Sequence, residues 1–197
     1  MSHPGFPGAG AGCHDAALAL VEVASIARGM RVGDAMVKRA ACRVLLGEPV
    51  TPGKFLVLVS GPVDVVEESF QAGVAEAGDL LLAQLFLPGV HPQVVPAIQG
   101  TSWELPWDSL GVVETRTVSA GIVAADVACK ESPVQIIEMR LAAGVGGKGV
   151  FTLTGDLSDV QAAVEAAAAS ARGSSALVQT EVIARPHPDF RGRLWAR

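Results

Sequence analysis

EPVTPGKFLVLVSG, residues 48–61, turns at Pro-Gly, passes a Gly-Lys pair and runs as an apolar stretch into a glycine. Residues 143–155, AGVGGKGVFTLTG, repeat the pattern: loop glycines, Gly-Lys, apolar run, terminal glycine. A short apolar run bounded by such turns reads as a buried strand leaving a hairpin. The recurrence extends well beyond these stretches. LVEVASIARGMRVGDAMVKRA (20–40) lies over VVETRTVSAGIVAADVACKES (112–132), so Val21, Glu22, Asp34 and Lys38 fall on Val113, Glu114, Asp126 and Lys130 at one constant offset. The offset then slips by two residues, and Gly53-Lys54 matches Gly147-Lys148 while Gly61 matches Gly155. Later His91-Pro92 matches His187-Pro188. A repeat of this length is a whole domain, too long for a solenoid unit.

Within the first copy, ALALVEV reads as a buried strand and GMRVGDAMVKRAA as a helix, with Met30, Met36, Val37 and Ala40 at helical spacing. RVLLGE and KFLVLVS are short strands joined by the turn PVTPG, and DLLLAQLFLP is a closing strand. GPVDVVEESFQAGVAEAG opens on Pro62 and carries early acidic residues, both favourable at a helix N-terminus. The order β-α-β-β-α-β is a ferredoxin-like split βαβ unit of the α+β class, in two tandem copies. SDVQAAVEAAAASARG is the second copy's second helix. The expected domains are 18–98 and 110–190. Residues 1–17 form a flexible Gly/Pro arm, 99–109 a linker pinned by Trp103 and Trp107, and 191–197 a tail.

Half of the 197 residues are hydrophobic, 18% are charged, and the net charge is -5. A mildly acidic chain offers no basic surface for nucleic acid. So few charges beside so much apolar residue suggests a surface partly covered by partners. No apolar run approaches the roughly 18–20 residues that span a bilayer, and MSHPGFPGAGAGCHDAA lacks the features of a secretory signal. Cys13, Cys42 and Cys129 lie far apart without CxxC or zinc spacing, which fits a reducing cytoplasm. Gly144-x-Gly146-x-x-Gly149 matches a dinucleotide fingerprint in letters only, because VFTLTG after it reads as a strand where the motif needs a helix. A P-loop fails at Ala142 and Gly149. His14, His91 and His187 do not cluster with cysteines or carboxylates, and no GxSxG or HExxH occurs. These residues argue against an enzyme.

VEVASIARGMRVGDAMVKRA, PVTPGKFLVLVSG, GVGGK and the ending VIARPHP (182–188) together resemble bacterial microcompartment shell proteins of the tandem-domain, trimer-forming kind. Within that family the chain is most similar to the tandem shell proteins of propanediol-utilisation compartments. The strand order matches the unpermuted form of the domain. The resemblance implies a homotrimeric pseudohexamer whose central pore passes small metabolites, set among neighbouring hexameric and pentameric shell proteins, in the cytoplasm and off any membrane. It implies pore-lining loops at Val50, Thr51 and Pro52 and at Gly144, Val145 and Gly146. It places Asp34, Lys38, Asp126, Lys130, Arg185 and His187 at tile edges, with unequal edges because the first copy has no arginine matching Arg185. Read without the family, Asp34–Lys38 is an ordinary i,i+4 surface pair of about 0.3–0.5 kcal/mol. In the nearest relatives a cysteine precedes this Pro-Gly-Lys, and three such thiolates hold an iron–sulfur cluster. Thr51 stands there, so no metal or other cofactor is expected. The alternative function is a tandem ferredoxin-like regulatory module binding a small molecule between its copies.

Overall fold

The computed structural model describes residues 16–101 and 108–191. Cys13, His14, Trp103, Trp107 and the tail beyond Arg191 lie outside the described residues. The first half runs β1 (Ala17–Val23), α1 (Ile26–Arg39), β2 (Arg43–Val50), β3 (Lys54–Gly61), α2 (Val63–Ala77) and β4 (Leu81–Pro88). The second runs β5 (Ser109–Thr115), α4 (Val118–Glu131), β6 (Gln135–Leu141), β7 (Gly149–Gly155), α5 (Leu157–Gly173) and β8 (Leu177–Ala184). Two short helices that the sequence pattern does not announce, α3 (Val94–Ile98) and α6 (Pro188–Arg191), follow the closing strands.

Each half is the expected α+β unit. Its four-stranded antiparallel sheet has the order β2-β3-β1-β4, repeated as β6-β7-β5-β8. The duplication reaches into the irregularities. The edge strands break register at matching places, between Val44 and Leu46 and between Ile136 and Glu138. Both first helices start on a hydroxyl cap: Ser25 Oγ accepts the Arg28 N–H and Thr117 Oγ1 the Ala120 N–H, each at 3.3 Å. The cap explains why α1 begins at Ile26, ahead of the apolar spacing that starts at Met30.

The apolar residues of α1 face two ways. Met30, Met36, Val37 and Ala40 do not share one buried face. Gly29, Val32 and Met36 pack into the first half's own core, whereas Ile26, Met30 and Val37 point outward with Gly33 between them. The helix therefore carries two apolar stripes, the second at i, i+4, i+7 and i+11. In α4 the matching stripe, Val118, Ile122, Ala125 and Cys129, is buried. It belongs to one continuous cluster with Val90, Val94, Val95 and Ala97, and β4 and α3 both touch α4. The closing segment of the first half thus covers the first helix of the second.

Polar contacts fix the register of this junction. The His91 backbone N–H donates to Asp126 Oδ1 at 2.7 Å. Strand β6 is a sheet edge, and the Gln93 side-chain amide sits on it as a strand peptide would. Its Nε2 donates to the Val134 carbonyl at 2.9 Å and its Oε1 accepts the Ile136 N–H at 3.0 Å. Gln93→Leu should leave both backbone groups without a protein partner and lower stability by about 1–3 kcal/mol. Urea denaturation should show this as a lower midpoint with an unchanged slope.

Candidate functional site

The two hairpin loops are built differently and end side by side. In the first, Val50 is buried at the base, while Thr51, Pro52 and Gly53 are exposed, with a cis Thr51–Pro52 bond. Gly53 closes the turn by donating its N–H to the Val50 carbonyl at 2.9 Å. The second loop wraps its amides onto Ala142 and Val145: Gly147 N–H donates to the Ala142 carbonyl at 3.1 Å and Lys148 N–H to the Val145 carbonyl at 3.3 Å. Gly144, Gly146 and Gly147 all adopt positive φ there, which accounts for the glycine run. A Cβ built on Gly147 would lie 3.8 Å from the Thr51 carbonyl oxygen. Among the loop residues Thr51–Gly53 and Ala143–Gly147, none of them buried, none is charged. The run matching GxGxxG leads into β7, a strand.

The Gly-Lys pairs anchor these loops. Lys54 Nζ donates to Glu22 Oε1 at 2.8 Å, and Lys148 Nζ donates to Glu114 Oε1. Each lysine ties its hairpin to the central strand beside it, β1 or β5. Sequence reasoning missed the two glutamates as site residues, although their recurrence at the constant offset was the available signal. Behind each lysine the first helix presses on the strand. A Cβ on Gly121 would lie 2.9 Å from Gly149 Cα, and one on Gly29 would collide with the Phe55 side chain at 2.2 Å. Glycine at both positions lets helix and strand meet where the loop begins.

The two Asp–Lys pairs have the same inner geometry and different surroundings. Lys38 Nζ to Asp34 Oδ2 and Lys130 Nζ to Asp126 Oδ2 are both 2.6 Å. The Asp34 side chain is 57% exposed, that of Asp126 only 5%. Asp126 therefore faces the junction, and Lys130 alone of that pair reaches solvent. Burial, with Lys130 adding to it and Asp126 opposing, holds the His91 imidazole below its ordinary pKa; its Nδ1 accepts the Gln93 N–H at 3.4 Å. Arg185 and His187 are exposed. Arg185 takes the left-handed conformation of its counterpart Gly89, with φ 49° against 66°. Each donates its N–H just before the half's first strand, Gly89 to Ala16 and Arg185 to Asp108.

No thiol among the described residues lies in either loop. Cys42 Sγ sits 3.2 Å from Ser69 Oγ, and burial pushes the Cys129 thiol up to about 12. Cluster iron needs thiolate sulfur, so the hydroxyl and backbone groups of these loops do not fit an iron–sulfur centre. No group of three His, Cys, Asp or Glu able to hold a metal occurs among the described residues, and no helix among them is long and apolar enough to cross a membrane.

A duplicated βαββαβ unit with paired glycine hairpins and lysine-bearing helix ends defines a class, and the BMC domain matches residues 17–90 and again 109–186. The chain belongs to this family of bacterial microcompartment shell proteins and is a tandem-domain shell tile. It is 42% identical over 171 residues to the bacterial microcompartment shell protein PduT of Citrobacter freundii, covering 87% of this chain and 93% of that one. The shell protein PduA of the same organism is 37% identical over 84 residues, 42% of this chain and 86% of that protein. A crystal structure of a microcompartment protein from Desulfitobacterium hafniense superimposes with a TM-score of 0.86 at 41% identity, covering 89% of this chain and 98% of that one.

The anchoring role of the glutamates can be read from stability. Glu22→Ala leaves the Lys54 ammonium without its partly buried partner and should cost about 1–3 kcal/mol. Glu165→Ala, which breaks the exposed Glu165–Arg172 pair, should cost less than about 0.5 kcal/mol. Urea midpoints of the two variants, measured side by side, check the order.

Proposed function

We propose that three copies close into a pseudohexamer of six BMC domains, a non-catalytic tile whose central pore passes small metabolites. The observation that carries this is the meeting of the two hairpin loops, with Gly147 against the Thr51 carbonyl. Six such loops around one axis would present Thr51, Pro52, Gly144, Val145 and Gly146 to the opening, with Val50 packed beneath. A heterologous contact of this kind makes a ring when its rotation closes. With no charged side chain among Thr51–Gly53 and Ala143–Gly147, the pore is polar, neutral and weakly selective for charge. Native mass measurement and electron microscopy test the reading: three copies per particle and hexagonal outlines are expected, and a monomer at every concentration would overturn it.

The outer rim of the tile uses Lys38 with Asp34, Lys130 beside Asp126, and Arg185 with His187, to meet hexameric and pentameric shell proteins. Lys38 and Lys130 lie at helix ends outside the buried stripes, so the double substitution Lys38→Ala, Lys130→Ala should leave trimers intact and impair tiling. Unaltered sheets or shells from the double variant, seen by electron microscopy, would remove this assignment.

Thr51 in place of a thiolate leaves the axis without cluster ligands. Anaerobic reconstitution with iron and sulfide should give no stoichiometric iron–sulfur absorption for the wild-type protein, whereas Thr51→Cys should gain it. A full signal from the wild type would show that this view of the pore is wrong.

A further inference from the structure

The two halves fill one matching place differently. In the first half, between the start of α1 and the end of α2, the Glu76 carboxylate lies between two guanidinium groups. It is 3.0 Å from Arg31 Nη2 and 3.8 Å from Arg28 Nη1, which also donates to the Glu76 carbonyl at 2.8 Å. The repeat puts Ala120 at the place of Arg28, Val123 at that of Arg31 and Ser170 at that of Glu76. Three long charged side chains thus become small ones, and a groove of about 390 Å³ opens between the start of α4, the end of α5 and strand β4. A cation returns from a different position: Arg116, where the first half has Ala24. It lines the groove with Gln84, Ser119, Ser170, Ser174 and Ser175, and none of the described lining residues is acidic. Arg116 donates its backbone N–H to the Ala176 carbonyl at 2.7 Å, but its guanidinium makes no ion pair or hydrogen bond among the described residues.

We propose that this groove binds a small molecule bearing an oxyanion, a carboxylate or a phosphate, which takes the place that Glu76 holds in the first half. A guanidinium presents paired N–H donors that match either group. The Ser170 and Ser175 hydroxyls and the Gln84 amide also lack a partner among the described residues. They can donate to the remaining oxygens of the anion or accept from hydroxyls elsewhere on the molecule. The volume falls in the range of about 300–1,000 Å³ usual for small-molecule sites. A net charge of -5 disfavours anions over the surface as a whole. A groove with a cation and no carboxylate is therefore where an anion gains most. Arg116 is exposed, so water and salt screen the contact, and binding is weak and salt-sensitive. All of these residues belong to one chain, so the site does not depend on the trimer.

Isothermal titration calorimetry of the full-length protein, with inorganic phosphate and separately with acetate at constant ionic strength, tests the site. Saturable binding of at least one of the two anions is expected, at one site per chain. Binding of phosphate alone assigns the groove to phosphorylated molecules, and binding of acetate alone to carboxylates. Arg116→Gln should weaken the binding about tenfold or more. Ser170→Glu puts the carboxylate of the first half back beside Arg116 and should weaken it likewise, an independent reading if Arg116→Gln folds poorly. Arg39→Gln removes a cation from α1 outside the groove and should bind as the wild type does. The proposal is overturned if the wild type binds neither anion saturably, or if binding survives either groove substitution in a folded protein. Equal weakening by Arg39→Gln also contradicts it, by showing a response to net charge and not to this groove.

Discussion

The fold depends on covering a second apolar stripe on a helix that already has its first stripe in a core. Each half satisfies one face of its first helix with its own sheet and leaves the other for a neighbour. For α4 that neighbour is the closing segment of the first half, through Val94, Val95 and the turn at His91. Full burial of a Val- or Ile-sized side chain contributes about 1.5–3 kcal/mol, and a typical internal hydrogen bond nets about 0.5–1.5 kcal/mol. Burial of Val118, Ile122 and Ile136 therefore drives the junction, while Asp126 and Gln93 decide its alignment. A half-domain with this construction is incomplete alone, much as a single structural repeat is without its neighbour.

The same constraint places the hairpins. With α3 and Gln93 set on the edge strand β6 and β4 against α4, the turns after β2 and β6 lie beside one another, Gly147 against the Thr51 carbonyl. Their bases are held by Glu22–Lys54 and Glu114–Lys148, inner pairs that survive although the loops between them differ by two residues. Loop length and chemistry can therefore vary without moving the strand ends. Thr51 and the glycine run are thus two loop solutions mounted on one frame.

Much of this was legible in the sequence, for identifiable reasons. The bounded apolar runs, Pro62 at a helix start and the constant offset from Glu22 to Lys130 specify a duplicated βαββαβ unit through local pattern alone. The Gly-Lys pairs marked the hairpins correctly. Other features escaped because they are relations between distant residues. Gln93 reads as an isolated polar residue after a strand, and only the fold shows its amide standing in for a strand peptide on β6. Its counterpart is Asp189, so the repeat itself concealed the role. The spacing of Met30, Met36 and Val37 predicts a helix and not its two apolar faces, because such spacing reports burial of some kind without saying by which partner. Helices α3 and α6 are too short to show a period.

The proposed six-domain ring stands on where the two kinds of hairpin loop meet. A high-resolution cryo-electron microscopy structure of the assembled particle measures this directly. Three Thr51 loops and three glycine loops are expected to alternate around one axis. A particle whose hairpin loops point away from every symmetry axis would contradict it.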